Sequence, residues 1–301
     1  MKKFFRVLPP LQWCSLLFAA LTAAFQVLAM LLCYEEKINH FAQGAFLPTL
    51  AMICFGLSLI TGIISAIITP ASKLSTTIFA SKRTVPIPAF GFALLTDILL
   101  FRLISLAIDL WEISPTGEIF FKNLFTGNTK IAVLCIPLLI IAVVYCFLIS
   151  LPGQRTKKNR NTLLGFGTVL ACMLLTIYLY FDMTILMTSP VKTFLQAGLL
   201  CSMIFFTGEL RYLLERPLPR LFSVCTTLVL ATGAISVPSG IIAFLSQKLP
   251  SSDYFACALL LLSMIPHALI YLIRLHSNSS DISNQQEPIS SQQADSERNS
   301  L

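Results

Sequence analysis

Eight long apolar stretches, separated by short polar segments, fill most of this 301-residue chain. A bilayer's hydrocarbon core is about 30 Å thick, and a helix needs about 20 apolar residues to cross it. Because a lipid-facing backbone must satisfy its own hydrogen bonds, helices are favoured over strands. The pattern therefore predicts an all-α, polytopic transmembrane helical bundle. Its spans are expected at residues 11–33, 46–68, 88–110, 131–151, 163–181, 193–213, 220–245 and 254–274.

The composition agrees with a single membrane domain and no soluble domain. Charged residues make up only 12% of the chain, and the mean hydropathy is +0.80, whereas a soluble domain carries about 25% charged residues. We therefore assign residues 1–274 to the membrane domain. Residues 275–301 are rich in Ser, Asn, Gln, Asp and Glu. Such a segment cannot bury enough apolar surface to offset its ordering entropy, which predicts a disordered cytoplasmic tail.

The basic residues predict an orientation in the membrane. Fourteen lysines and arginines fall in the gaps on one side of the predicted helices, and five fall on the other. The positive-inside rule therefore places both termini in the cytoplasm, and the expected location is a bacterial cytoplasmic membrane. Despite the net charge of +7, this placement favours contact between residues 155–160 and anionic lipid headgroups over nucleic acid binding.

Several chemistries have no supporting motif. The nine cysteines are scattered, without C-x-x-C pairs or a nearby histidine at ligand spacing, so we expect no metal and no cofactor. Most lie inside apolar stretches, where cysteine behaves as a small hydrophobic residue. The chain has no G-x-x-x-x-G-K-[ST], H-E-x-x-H or G-x-S-x-G sequence. These observations favour a protein that is not an enzyme.

Four ionisable residues inside the predicted spans form the candidate polar cluster: Asp97, Arg102, Glu209 and His267. Counted from the cytoplasmic end of the third span, Asp97 lies about 13 Å deep and Arg102 about 21 Å deep. A charge at mid-membrane costs about 2.5–3.5 kcal/mol, so such residues usually face the bundle interior and have partners. Residues five positions apart do not share a helix face. We therefore expect partners on other helices. Asp97 belongs to the same span as Arg102, but by depth it is still the first candidate for Arg102.

The cluster has two interpretations. Asp97, Glu209 and His267 are predicted at similar depths in the cytoplasmic half, with Arg102 above them. Carboxylates and histidine are the usual groups of a proton or ion pathway, and they also form polar substrate sites. The alternative is a buried ion-pair network that only holds the helices together.

The seventh span contains a second candidate feature: Ser236, Pro238, Ser239 and Gly240. Small residues let helices approach closely, and packing is the simpler interpretation. The functional alternative is a broken helix, whose freed backbone groups bind a solute.

Taken together, the sequence favours a permease-like, multi-pass membrane protein for a small solute or ion. One alternative is a non-transport protein, such as a sensor or an assembly or accessory subunit, with structural buried charges and an unknown membrane or cytoplasmic partner. A second alternative is a lipid-modifying enzyme. An enzyme of that kind should gather polar residues at one membrane face, whereas the polar set here is predicted within the span.

Overall fold

The structure is a computed structural model that describes residues 8–76, 78–79, 85–113, 128–151, 158–248 and 252–298. Over these residues it contains eight helices that are long and apolar enough to cross a membrane, which confirms the multi-pass helical bundle. The helices are α1 Pro10–Leu32, α2 Phe46–Ile68, α3 Ile87–Ile113, α4 Asn128–Ile149, α5 Lys158–Phe181, α6 Pro190–Leu213, α7 Pro219–Leu245 and α8 Ser252–Arg298.

The helix boundaries follow local sequence signals. Proline occupies the first position of α1, α6 and α7, where its missing N–H would have no helical partner in any case. Helices α4 and α5 begin several residues before their predicted spans, at Asn128 and Lys158. Those predictions followed apolar residues alone, whereas helical hydrogen bonding continues into polar turns at the membrane surface.

Helix packing divides the bundle into a ring and a hairpin. Each helix from α3 to α8 packs against the next one in the chain. Because α8 also packs against α3, these six helices form a closed ring. The α1–α2 hairpin lies outside the ring and packs against α7. Helix α7 therefore contacts both parts of the bundle, and it is the most deeply enclosed of the eight spans.

We call the membrane face near both ends of the chain the terminal side and the opposite face the distal side. The terminal side holds Pro10 at the start of α1 and Ser277 of α8, and the distal side holds Leu32 and Ser252. The predicted orientation, in which the terminal side is cytoplasmic, stays a prediction. Much of the basic segment at residues 155–160 lies outside the described residues, so its contact with lipid headgroups is also still a prediction.

On the distal side, Lys248 joins the ends of α7 and α1. Its ammonium group donates hydrogen bonds to the backbone oxygens of Met30 at 2.7 Å and Tyr34 at 3.2 Å. The last carbonyls of a helix have no partner within the helix, and Lys248 satisfies one of them. A short antiparallel pair of strands, Tyr34–Glu35 and His40–Phe41, follows immediately.

Polar side chains connect α1 to α2 and α7 within the membrane. Gln12 Nε2 donates to Thr227 Oγ1 at 3.2 Å, and Gln26 Nε2 donates to Ser239 Oγ at 2.8 Å. The hydroxyls of Ser15 and Ser58 each donate to the other residue's backbone oxygen, at 2.8 and 2.9 Å. Such hydrogen bonds between membrane helices stabilise their packing.

Helix α7 is continuous through Ser236, Pro238, Ser239 and Gly240, so the helix break considered for these residues is absent. The Ser236 and Ser239 hydroxyls donate to carbonyls four residues earlier, each at 2.6 Å. A side chain at position 240 would begin with a Cβ only 2.6 Å from the Cβ of Ala258 on α8. Close packing against α8 therefore accounts for Gly240.

The last helix extends beyond the predicted span end at residue 274. Leu275 and His276 are buried, and the Leu275 carbonyl accepts a 2.8 Å hydrogen bond from the backbone N–H of Ser75. The helical backbone then continues to Arg298. Lengthening an existing helix needs no new nucleus, which is why a polar segment can prolong α8. Disorder was predicted from residue 275 onward, and that is wrong for Leu275 and His276, which are buried in the packed helix; for the polar residues beyond them it stays a prediction.

Candidate functional site

Arg102 pairs with Asp253 on α8 rather than with Asp97. Its Nη1 also donates to the Tyr178 hydroxyl on α5 at 2.7 Å, and that hydroxyl donates to the same Asp253 oxygen, Oδ2. Asp253 is 1% exposed, whereas 48% of the Arg102 side chain is exposed. The expectation of a partner on another helix is correct, and three helices of the ring meet at this partner.

Asp253 is absent from the candidate residues because it lies just before the span predicted at residues 254–274. A usable signal was present. Asp253 occupies the first turn of α8, where the helix dipole favours a negative charge. A negative charge favoured at this helix start, at the same distal level as Arg102, would have indicated the Arg102–Asp253 pair.

Asp97 lies apart from the other candidate residues. It is exposed on the outer surface of α3, and it has no polar partner among the residues that the structure describes. Five positions along a helix correspond to a rotation of about 140°. Once Arg102 faces α5 and α8, Asp97 therefore faces away from the ring interior. The predicted pairing of Asp97 with Arg102 is wrong for this reason.

A cavity of about 470 Å³ lies at the distal end of the ring beside Arg102. Helix α3 supplies most of its wall, and α4, α5 and α8 complete it. The polar groups lining it are Arg102, Ser105, Asp109, Asn128, Thr129, Tyr178 and Ser252. Its apolar wall includes Phe101, Leu103 and Leu106. The paired arginine is therefore accessible from this cavity.

Glu209 and His267 come together in the terminal half of the ring, as their predicted depths indicated. The Tyr271 hydroxyl donates a 2.6 Å hydrogen bond to Glu209 Oε1, and His267 Nε2 lies 3.9 Å from the same oxygen. Glu209 is 0% exposed and the His267 side chain is 13% exposed. Helices α6 and α8 thus share a compact cluster of a carboxyl, an imidazole and a phenol.

Aromatic rings enclose this cluster. The Phe205 ring stacks on the Tyr271 ring with 5.9 Å between centroids, and the Phe222 ring lies 6.0 Å from it. Tyr145 on α4 is also buried beside Glu209 and interacts with it electrostatically. Within the described part of the chain, Glu209 Oε2 and the Tyr145 hydroxyl have no hydrogen-bond partner at 3.5 Å or less, although the two residues lie close enough to interact. No lysine or arginine described by the structure forms an ion pair with Glu209.

Three buried thiols lie between the distal and terminal clusters. Cys135, Cys172 and Cys257 belong to α4, α5 and α8, and all three are fully buried. Across the described ranges, no group of three or more His, Cys, Asp or Glu residues could hold a metal ion. These thiols fill the ring interior as small hydrophobic side chains.

A further polar contact closes the distal loop between α5 and α6. The buried Lys192 ammonium donates to the backbone oxygen of Asp182 at 2.5 Å. The Asp182 carboxylate accepts hydrogen bonds from the Thr184 N–H at 3.0 Å and hydroxyl at 2.8 Å. This contact fixes the loop beside α6.

Comparisons with known proteins do not assign this site: no family model, curated protein or solved structure matches the chain.

Proposed function

We propose that this multi-pass membrane protein is a permease-like protein, in which protonation of Glu209 is coupled to the movement of a small solute or ion. We place it in a bacterial cytoplasmic membrane with both termini inside. The single observation that carries the proposal is the burial of Glu209: its carboxyl is fully enclosed in a membrane span, and no described cation pairs with it.

The energetics of such a carboxyl support a functional role. A charged side chain inside the hydrocarbon is costly, and ionisable residues there usually belong to a pathway or a structural pair. Glu209 has a tyrosine hydrogen bond and a neighbouring histidine, but no arginine or lysine of the described residues forms an ion pair with it. The Arg274 guanidinium lies 5.8 Å from the centre of the Tyr271 ring. When Glu209 gains or loses a proton, the charge in this low-dielectric cluster changes by one unit. That change alters the relative stability of different packings of α6 against α8.

His267 and Tyr271 have distinct roles in this proposal. The Tyr271 hydroxyl orients the Glu209 carboxyl through its 2.6 Å hydrogen bond. His267 Nε2 lies 3.9 Å from the same oxygen, and its side chain is 13% exposed. In this proposal its imidazole is the group that carries a proton between Glu209 and the terminal side.

Proton movement in proteoliposomes tests the proposal. The full chain is reconstituted with a pH-sensitive dye inside the vesicles, and an imposed pH gradient is followed with and without a membrane potential. We expect proton flux for the native protein and its loss in Glu209→Gln, which keeps the shape of the side chain. Glu36→Gln, which changes an exposed distal acid, is the matched control and should retain the flux.

A structural role is the second candidate, and the Arg102–Asp253 ion pair favours it. In a non-transport protein, Glu209 and Arg102 would only stabilise helix packing. Glu209→Gln would then change only the stability of the bundle, and the native protein would carry no more protons than empty vesicles. That result would overturn the transport proposal.

A further inference from the structure

We infer that the distal cavity is a binding site for a zwitterion whose two charges are separated by several bonds, such as a short peptide or an ω-amino acid. The inference names the substrate class of the proposed permease, so it rests on the proposed function for what happens after binding. Binding itself depends only on the cavity.

Two opposite charges line the cavity on one face of α3. Arg102 and Asp109 are seven residues apart and both contribute to the wall, which corresponds to a rise of about 10 Å along the helix. Asp109 is exposed and has no polar partner among the described residues. Arg102 lies deeper, and Asp109 lies nearer the distal surface. The cavity thus presents a half-exposed guanidinium, paired on its buried side with Asp253, at its base and the Asp109 carboxylate at its mouth.

The base of the cavity favours an anionic group. Tyr178 and Asp253 hold Nη1 of Arg102 in place, while about half of the arginine side chain stays exposed. The first residues of α4 and α8, including Asn128 and Ser252, line the same cavity. The N-terminal turns of helices carry partial positive charge and favour anions. A ligand carboxylate at this position would contact Arg102 and both helix ends.

The mouth of the cavity favours an ammonium group. Among the described residues, Asp109 is the acidic one that lines the cavity. An anion bound alone would leave Asp109 without a partner, and a cation bound alone would face Arg102. A zwitterion provides a partner for each charge, which is how electrostatic complementarity gives specificity.

The spacing of the charges selects among zwitterions. In an α-amino acid, the amino and carboxyl groups are attached to one carbon, so the molecule cannot approach Arg102 and Asp109 together. The termini of a dipeptide or an ω-amino acid are further apart. The cavity volume of about 470 Å³ lies within the range typical of small-molecule sites, about 300–1,000 Å³. Phe101, Leu103 and Leu106 provide the apolar wall for the atoms between the two charges.

Calorimetry with the full chain in lipid nanodiscs tests the inference. The probes are alanyl-alanine, γ-aminobutyrate, free alanine and N-acetyl-alanyl-alanine, which lacks the amino charge. We expect alanyl-alanine or γ-aminobutyrate to bind at least about tenfold more tightly than alanine or the acetylated peptide. Asp109→Asn should remove most of that preference. Because Asp109 is exposed, this variant is expected to fold. Glu112→Gln, one turn further along α3 and outside the cavity lining, is the matched control.

Each outcome separates this inference from the proposed function. If neither separated zwitterion binds more tightly than alanine, or if Asp109→Asn leaves the preference unchanged, the inference is overturned. Proton flux that depends on Glu209 would still support a permease. Conversely, tight binding of alanyl-alanine without any flux would support the site and contradict transport.

Discussion

A single carboxylate oxygen of Asp253, Oδ2 in the first turn of α8, forms an ion pair with the Arg102 guanidinium and accepts a hydrogen bond from the Tyr178 hydroxyl. One buried oxygen therefore links α3, α5 and α8 at the distal end of the ring. Its companion oxygen, Oδ1, has no hydrogen-bond partner within the described residues. The carboxylate is thus held from one edge only.

Removing this carboxylate should destabilise the bundle. Asp253→Leu leaves the Arg102 charge and the Tyr178 hydroxyl without their acceptor, and we expect the free energy of unfolding to fall by about 1–3 kcal/mol. Because Arg102 is half exposed, water can offset part of the loss. The double variant Arg102→Leu with Asp253→Leu should recover much of it. Thermal unfolding in detergent measures both, and an additive double variant would contradict the pairing.

Replacing Asp97 with leucine should stabilise the protein. The carboxylate lies on the exposed face of α3 and has no polar partner among the described residues, and a mid-membrane aspartate costs about 2.5–3.5 kcal/mol on insertion scales. Asp97→Leu should therefore improve membrane insertion of α3 and raise the melting temperature. Insertion of the isolated α3 segment in a glycosylation assay provides the first measurement. A lower melting temperature would indicate that Asp97 binds a partner helix.

Two truncations should separate the packed and polar parts of α8. Deleting residues 278–301 removes only the polar extension, so insertion and thermal stability should be unchanged. Deleting residues 275–301 also removes the buried Leu275 and the acceptor for Ser75, and we expect a clear fall in melting temperature. Equal stability of the two truncated proteins would show that the last buried turn contributes nothing.

The orientation is tested by labelling cysteines introduced at opposite faces. Lys37 lies in the distal loop after α1, and Arg216 lies in the terminal loop between α6 and α7. In a cysteine-free background, the positive-inside rule predicts that a membrane-impermeant thiol reagent labels Lys37→Cys in intact cells and labels Arg216→Cys only after permeabilisation. The reverse pattern would invert the whole topology.

Hydrophobic patterning predicted the eight spans because each helix must be apolar over its own length, which is a local property. Glu209 and His267 were also predicted to lie together, because depth along a span follows from residue number. The position of a residue within the membrane plane, and so its neighbour on another helix, does not follow from residue number. Depth alone made Asp97 the first candidate for Arg102, and Asp253 was overlooked because it lies just outside the predicted span; the acidic residue in the first turn of α8 was the one local signal for it. The Gln12 and Gln26 contacts were missed because their partners on α7 depend on how distant segments pack.

The hydrogen bonds of α1 also have a consequence for biosynthesis. Gln12 and Gln26 are satisfied by Thr227 and Ser239, more than 200 positions later in the chain. During translation, α1 therefore enters the bilayer long before either partner has left the ribosome. Until α7 arrives, both amides must be satisfied by lipid headgroups, water or an insertion factor. The α1–α2 hairpin is thus synthesised first but packs against α7 only late in synthesis. A nascent chain stalled before α7 should remain accessible to proteases.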